Sequence, residues 1–514
     1  MSEPDSVAPK ILATDGAQFA GRVPLAGRGQ MFYWFVSALA TDPLAAPIIV
    51  VLEGGPGMSD GYQMFAGCGP YRLNDDGHSR QNEHTWASFA SLLFIDQPLG
   101  VGFSTLDSAY AGPMTSSVNA EQIYAAMQRI FSLHPALTPD RTAGRPLFIF
   151  GHSYAGRLAP ALAHRWIAEQ GATDLGGLIL GNPEADLATQ MPALPDYLWQ
   201  NGVISQSRYH ALRAEIAKLV NQTASDVDVS SIGPNYLSMH DEVPYRLQNQ
   251  FNLWCTAHAI APSACQQLFI PWMYPRLERM LNATAIKTAL HVPATAQYLP
   301  VNPQAAARLH ADEAASSTPD VEFVLQAGVS VLVYNGADDG MLPIAGVRQW
   351  LYSLDFARKA AFSVAKPAFW GLQSPNGQYA VFGNVITDGV SLTSVAVYAG
   401  GHFANFDVPL QTAEAVRAWV TNRIVGLRQV DELPSFTPAQ SLPSGGMYSA
   451  GEMGGMFVGA FVAGTLCALL GYLAWRSSLC LRNRQNDTAG DTRLAIVEMD
   501  AARDGHTEPE PTKP

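Results

Sequence analysis

Residues 148–156 read Phe148-Ile149-Phe150-Gly151-His152-Ser153-Tyr154-Ala155-Gly156, and a helical pattern runs on from Leu158 to Glu169. This is strand, tight turn, helix. A serine at such a turn is held out at the sheet edge on a strained backbone, and small flanking residues let strand and helix approach closely. The helix start also favours negative charge developing beside it. The usual pattern is Gly-x-Ser-x-Gly, and Ala155 stands at its last position here. The pentapeptide is a weak signal alone; its place after an apolar run strengthens it.

Comparable apolar runs recur at Ile48–Leu52, Leu92–Ile95, Leu147–Phe150, Leu178–Leu180, Val329–Tyr334 and Val395–Tyr398, each bounded by turn residues. Continuous runs of this length suit strands of a parallel sheet buried on both faces. Helical stretches lie between them, among them Glu121–Leu133, and the alternation predicts an α/β fold. Residues from about 185 to 315 break the rhythm with helix formers, aromatics and polar loops. They read as a mostly helical insertion over one end of the sheet.

A serine nucleophile needs a base, and the base needs an orienting carboxylate. Val331 to Tyr334 leads into Asn335-Gly336-Ala337-Asp338-Asp339, and Val395 to Tyr398 leads into Ala399-Gly400-Gly401-His402. Both place polar residues at the carboxyl end of a strand, where open α/β sheets bind ligands. Alone, each is equally a solvated loop Asp or a surface His. In the order Ser, Asp, His they match an α/β-hydrolase. The negative oxygen of a tetrahedral intermediate also needs donors. Glu53-Gly54-Gly55-Pro56-Gly57, after the first central strand, offers backbone N–H groups, and Tyr154 N–H is the second donor. The bland reading of this glycine-rich segment is a tight turn.

Composition narrows the classes. The chain has 514 residues, 48% hydrophobic and 15% charged, which excludes disorder of the whole. A net charge of −13 argues against a nucleic-acid partner. No Cys-x-x-Cys and no His-Glu-x-x-His occurs, so no metal site is expected. Acyl transfer by a Ser-His-Asp set calls for no cofactor. Five cysteines do not make a disulfide framework.

Gly454 to Trp475 is 22 residues without a charge. A bilayer core of about 30 Å takes about 20 apolar helical residues. A Pro/Ser/Gly linker at 431–453 precedes the run, and Arg476, Arg482 and Arg484 follow it. The alternative, a buried core helix, fits these flanks poorly. Positive residues mark the cytoplasmic side. The expected layout is therefore a lumenal domain over 1–430, one transmembrane helix at 454–475 and a disordered cytosolic tail at 476–514. Met1 to Lys10 is polar and acidic, unlike a signal peptide. Asn221 and Asn282 open lumenal glycosylation sequons. An oxidising lumen permits pairing of Cys255 with Cys265.

These strings together resemble the serine carboxypeptidase family of the α/β-hydrolase class. In layout the chain is nearest to the membrane-anchored Kex-type pheromone-processing carboxypeptidases of the fungal Golgi. The likeness spans about residues 20–425. It rests on Gly54-Gly55-Pro56-Gly57, Asp96-Gln97-Pro98-Leu99-Gly100-Val101-Gly102-Phe103-Ser104, Gly151 to Gly156, the block from Tyr334 to Trp350, and Gly400-Gly401-His402 with Asp407-Val408-Pro409. The resemblance implies Ser153 as nucleophile, His402 as base, Asp339 rather than Asp338 as its orienter, and the N–H groups of Gly55 and Tyr154 as oxyanion donors. It implies peptide C-termini as substrate and Golgi residence on the secretory route.

The departures fall on substrate recognition. The family receives the terminal carboxylate on an Asn before Gly-Gly-Pro-Gly, a backbone N–H matching Gly54, and two Glu side chains. Here the Asn is Glu53, one Glu aligns with Gly67 and the other is His152. Three readings follow. The first is a carboxypeptidase with altered recognition, in which a protonated His152 binds the carboxylate, or locks onto Glu53 and serves only structure. The second is an esterase, acyltransferase or amidase using the same three residues. The third is a membrane-anchored binding protein with a decayed site.

Overall fold

The computed structural model describes residues 6–7, 17–222 and 270–421, apart from 41, 75–76, 203, 310–311, 313–314 and 374–378. Among them lie strands β1 (Ser6–Val7), β2 (Gln18–Leu25), β3 (Gly29–Val36), β4 (Ile48–Leu52), β5 (Tyr71–Leu73), β6 (Ser79–Gln81), β7 (Ser91–Ile95) and β8 (Thr105–Leu106). The series continues with β9 (Leu147–His152), β10 (Leu175–Gly181), β11 (Val331–Gly336), β12 (Ala368–Gln373), β13 (Tyr379–Thr387) and β14 (Leu392–Val397). The main sheet runs in the order β1-β2-β3-β7-β4-β9-β10-β11-β14-β13-β12, with β8 paired to β3. From β7 to β14 every neighbour is parallel. Antiparallel strands close both edges.

The parallel strands form where both side-chain rows find apolar cover. In β4, Ile49 and Val51 enter one core while Ile48, Val50 and Leu52 enter the other. Helices α2 (Ser116–Leu133) and α3 (Ala155–Gln170) cover the second face with Ile123, Met127, Leu158 and Leu162. The helix Pro409–Val420 covers the first with Val416 and Trp419. Fully burying such a side chain contributes roughly 1.5–3 kcal/mol. That outweighs the ~1–2 kcal/mol that ordering each backbone residue costs, so a strand buried on both faces is favoured.

The α/β architecture is as the apolar runs predicted; the element ends differ. Strand β10 begins at Leu175, not Leu178, because Gly176 and Gly177 are strand residues rather than turn residues. A Cβ on Gly177 would lie 2.3 Å from the Trp419 ring, so that glycine makes room for an aromatic. The hairpins β2-β3 and β12-β13 were not read from the sequence. Described elements between 187 and 309 are helical: Leu187–Gln190, Met191–Ala193, Leu194–Gln200, Gln206–Gln222, Ile270–Leu281, Thr284–Ala289 and Pro303–Leu309. Among the described residues no helix is long and apolar enough to cross a membrane. The 454–475 run, the 431–453 linker, the 476–514 tail, Cys255 and Cys265 lie outside the described residues. Cys68 is buried and has no disulfide partner among the described residues.

Candidate active site

Ser153 follows the last residue of β9 with a backbone φ of 56°. Non-glycine residues rarely adopt that region, and such strain is concentrated at functional turns. The turn is fixed from three sides. Ser153 N–H donates to Gly181 O at 3.0 Å, and its carbonyl accepts from Gly156 N–H at 2.8 Å and Glu184 N–H at 2.9 Å.

The Ser153 hydroxyl lies 2.8 Å from His402 Nε2, and His402 Nδ1 lies 3.0 Å from Asp339 Oδ2. All three residues are buried. The carboxylate at His402 is that of Asp339, not Asp338. A carboxylate only accepts, so Nδ1 carries the hydrogen and Nε2 faces the hydroxyl with its lone pair. Asp339 Oδ1 also accepts from Met341 N–H at 2.8 Å and Leu342 N–H at 3.0 Å. Burial alone would raise the Asp339 carboxyl; the His402 ring and these donors outweigh it and hold it below the ordinary carboxylate value.

Asn182 completes this chain and was not read from the sequence. It sits one residue past β10 at φ 46°, and its amide donates to Asp339 Oδ2 at 2.7 Å and Gly401 O at 3.1 Å. Its only sequence signal is its place after an apolar run.

Gly54 and Gly55 close the other side of the serine. A Cβ on Gly54 would lie 2.6 Å from Tyr154 N and 2.9 Å from Ser153 Cβ, so only glycine lets the two loops touch. Among the described residues no acceptor meets the N–H of Gly55 or of Tyr154. Two carboxyls hold the residues on either side of Gly54-Gly55. Asp60 accepts from Glu53 N–H at 2.5 Å and Ile95 N–H at 2.7 Å. Asp96 accepts from Ser59 Oγ at 2.5 Å, Phe103 N–H at 2.8 Å and Asp60 N–H at 3.2 Å. Burial pushes Asp96 up to about 6 although these donors pull it down.

The residues expected to recognise a carboxylate meet one another instead. His152 Nδ1 lies 2.8 Å from Glu53 Oε1, and His152 Nε2 lies 2.9 Å from the His402 carbonyl. A carbonyl only accepts, so Nε2 carries a hydrogen. Glu53 Oε1 also accepts Gly54 N–H at 3.0 Å, and a carboxylate there draws a hydrogen onto Nδ1 as well, which favours the charged ring. Burial opposes that charge, but Glu53 and the two hydrogen bonds raise the His152 pKa. Gln63 donates to Glu53 Oε2 at 2.6 Å.

Gln63, in the short helix α1 (Gly61–Phe65), is the second residue the sequence did not reveal. Its Oε1 accepts from Asn405 Nδ2 at 3.2 Å, and Asn405 Oδ1 accepts from Tyr334 OH at 2.8 Å. One hydrogen-bonded chain thus runs from Tyr334 through Asn405, Gln63, Glu53 and His152 to the backbone of His402. It explains Gly67, since a Cβ there would lie 2.0 Å from Gln63 Oε1. Of the sequons, Asn221 lies in Gln206–Gln222. The Asn282 side chain pairs with the Tyr298 backbone through N–H to Oδ1 at 2.8 Å and Nδ2 to O at 3.2 Å. Among the described residues no group of three or more metal-ligating side chains occurs.

The chain is similar to several known proteins. Serine carboxypeptidase-like 49 of Arabidopsis thaliana is 25% identical over 437 residues, covering 82% of this chain and 81% of that protein. Pheromone-processing carboxypeptidase KEX1 of Phytophthora infestans is 28% identical over 432 residues, covering 79% and 69%. The crystal structure of the prohormone-processing carboxypeptidase KEX1(delta)p of Saccharomyces cerevisiae shares the fold, with a TM-score of 0.69 at 20% identity over 82% of this chain and 97% of that one. The family model for serine carboxypeptidases matches residues 9–422, and the chain belongs to that family of hydrolases.

Proposed function

We propose that the chain is a serine-type carboxypeptidase that removes C-terminal residues from peptides or proproteins through an acyl-enzyme on Ser153. The observation that carries this is the buried chain from Ser153 Oγ through His402 to Asp339, beside two N–H groups that meet no acceptor among the described residues. His402 Nε2 takes the Ser153 proton as Oγ bonds to the carbonyl carbon of the last peptide bond. The oxygen, now negative, receives the N–H groups of Gly55 and Tyr154. His402 returns the proton to the leaving amine as the C–N bond breaks. Water then enters by the same route, giving a proton to His402 as its oxygen bonds to the acyl carbon; the ester C–O bond breaks, His402 returns the proton to Ser153 Oγ, and the shortened peptide acid leaves. The low Asp339 pKa keeps a negative charge beside the imidazolium formed at each step.

A second reading, a serine hydrolase of esters or amides without the exopeptidase limit, is favoured by one observation. The His152 and Glu53 side chains engage each other rather than open toward a ligand.

Incubation with peptides bearing free C-termini, read by mass spectrometry, tests the proposal. Stepwise loss from the C-terminus, absent in Ser153→Ala, is expected. Persistence of trimming in Ser153→Ala, or cleavage of esters alone, would refute it.

We propose also that 1–430 is lumenal, that 454–475 is a transmembrane helix and that 476–514 is cytosolic, as in a type I protein of the secretory route and its Golgi. The uncharged 22-residue run and the arginines after it support this. So does the likeness to a relative named as pheromone-processing.

A further inference from the structure

Three donors converge on the Glu53 carboxylate: Gly54 N–H at 3.0 Å, His152 Nδ1 at 2.8 Å and Gln63 Nε2 at 2.6 Å. A cation, a main-chain N–H and an amide around two oxygens make a strong site for a carboxylate. The three side chains are at most 1% exposed, so this is a built cradle and not a surface encounter. It stands against the nucleophile. His152 precedes Ser153, and Gly54 packs on the turn within contact distance of Tyr154 N and Ser153 Cβ. Its occupant is the chain's own side chain.

We propose that Glu53 is a specificity-determining residue whose carboxylate fills the anion cradle beside Ser153 in place of a peptide's terminal carboxylate, so that uncharged chain ends are accepted as readily as free ones. The proposal rests on the reading of Ser153 as nucleophile. A terminal carboxylate brought here meets a like charge with its partners already in place. Other buried cations around the turn are also engaged. Arg157 pairs with Glu184 at 2.9 Å, and Arg72 donates to the carbonyls of Ala66 and Asn405. The ring of Tyr62 stacks on His152 at 6.1 Å and that of Phe403 lies at 5.5 Å, so apolar rings wall the pair.

The test uses the full chain in detergent and matched peptides that differ only in a terminal carboxylate or carboxamide. For the wild type, kcat/KM for the two ends should agree within about threefold. A preference of ~10-fold or more for the free end, worth about 1.4 kcal/mol, would overturn the proposal. Glu53→Ala empties the cradle. The preference for the free end should then rise at least ~10-fold through KM, and millimolar formate should compete with the free-ended peptide in this variant only. Glu53→Gln keeps the shape without the charge and should shift the ratio the same way by less, which covers a failure of Glu53→Ala to fold. An unchanged ratio in whichever variant folds and still takes a fluorophosphonate on Ser153 overturns it. No labelling and no turnover of either peptide by folded wild type would instead sink the nucleophile reading, and the proposal with it.

Discussion

Among the described residues the Asn182 amide hydrogen-bonds neither Ser153 nor the His402 ring, yet it bonds both Asp339 and the backbone one residue before His402. It is a positioning residue. A hydrogen bond to a charged group is worth roughly 1.5–3 kcal/mol. Asn182→Ala should therefore lower kcat by ~10–100-fold with KM nearly unchanged, as steady-state kinetics on one peptide would show. An equal rise in KM would place it in substrate binding instead. Position 67 gives a stability prediction. Gly67→Ala drives a methyl into Gln63 and should cost about 1–3 kcal/mol, read as a lower midpoint in denaturant. His152 gives a pH prediction. Its pKa is raised in the folded state by Glu53, with Asp339 adding in the same direction and Tyr62 and His402 packed around it. The folded state thus holds this proton more tightly than the unfolded chain, whose imidazole titrates near pH ~6.5. The stabilisation is full below that pH and is lost as pH rises through the raised value. Melting temperatures from pH 6 upward should fall more steeply in wild type than in His152→Gln, and parallel curves would contradict the pairing.

At the scale of elements, strand ends do the positioning. Ser153 after β9, Asn182 after β10 and Ala399 after β14 all have positive φ, at 56°, 46° and 61°. Each turns the chain sharply where its strand stops. The loop after β4 must then touch the β9 turn, which Gly54 permits. Gly54→Ala should separate the Gly55 and Tyr154 N–H groups and lower kcat/KM by about 100-fold or more, since a misplacement of ~1 Å costs that much. Full activity in that variant would remove Gly55 from the oxyanion site. The sequence shows the parallel strands because burial on both faces leaves an unbroken apolar run, as in Ile48–Leu52. It hides β2 and β3, whose polar and glycine positions at Gln18, Gly21, Arg22 and Gly29 interrupt the pattern. It also hides Gln63, because a five-residue helix has no periodicity to read and the partner Glu53 lies ten residues away. Ser153, Asp339 and His402, which the fold brings within hydrogen-bond distance, stand out in the sequence because each follows an apolar run, in the chain order of α/β-hydrolases. What Glu53, Gly67 and His152 do with one another is legible only once the fold brings them together.

For the whole molecule, the described hydrolase unit supplies both cores and every residue assigned a role at Ser153. If 454–475 spans a bilayer, the full chain should pellet with membranes after alkaline extraction, and a chain ending at residue 430 should stay in the supernatant while still reacting at Ser153. Release of the full chain by carbonate would contradict the anchor. Covalent labelling by a fluorophosphonate, mapped by tandem mass spectrometry in wild type and His402→Ala, tests Ser153 as the nucleophile. The geometry predicts one adduct, on Ser153, formed orders of magnitude more slowly without the His402 ring. An adduct on another serine, or labelling of Ser153 at an undiminished rate in His402→Ala, would contradict it.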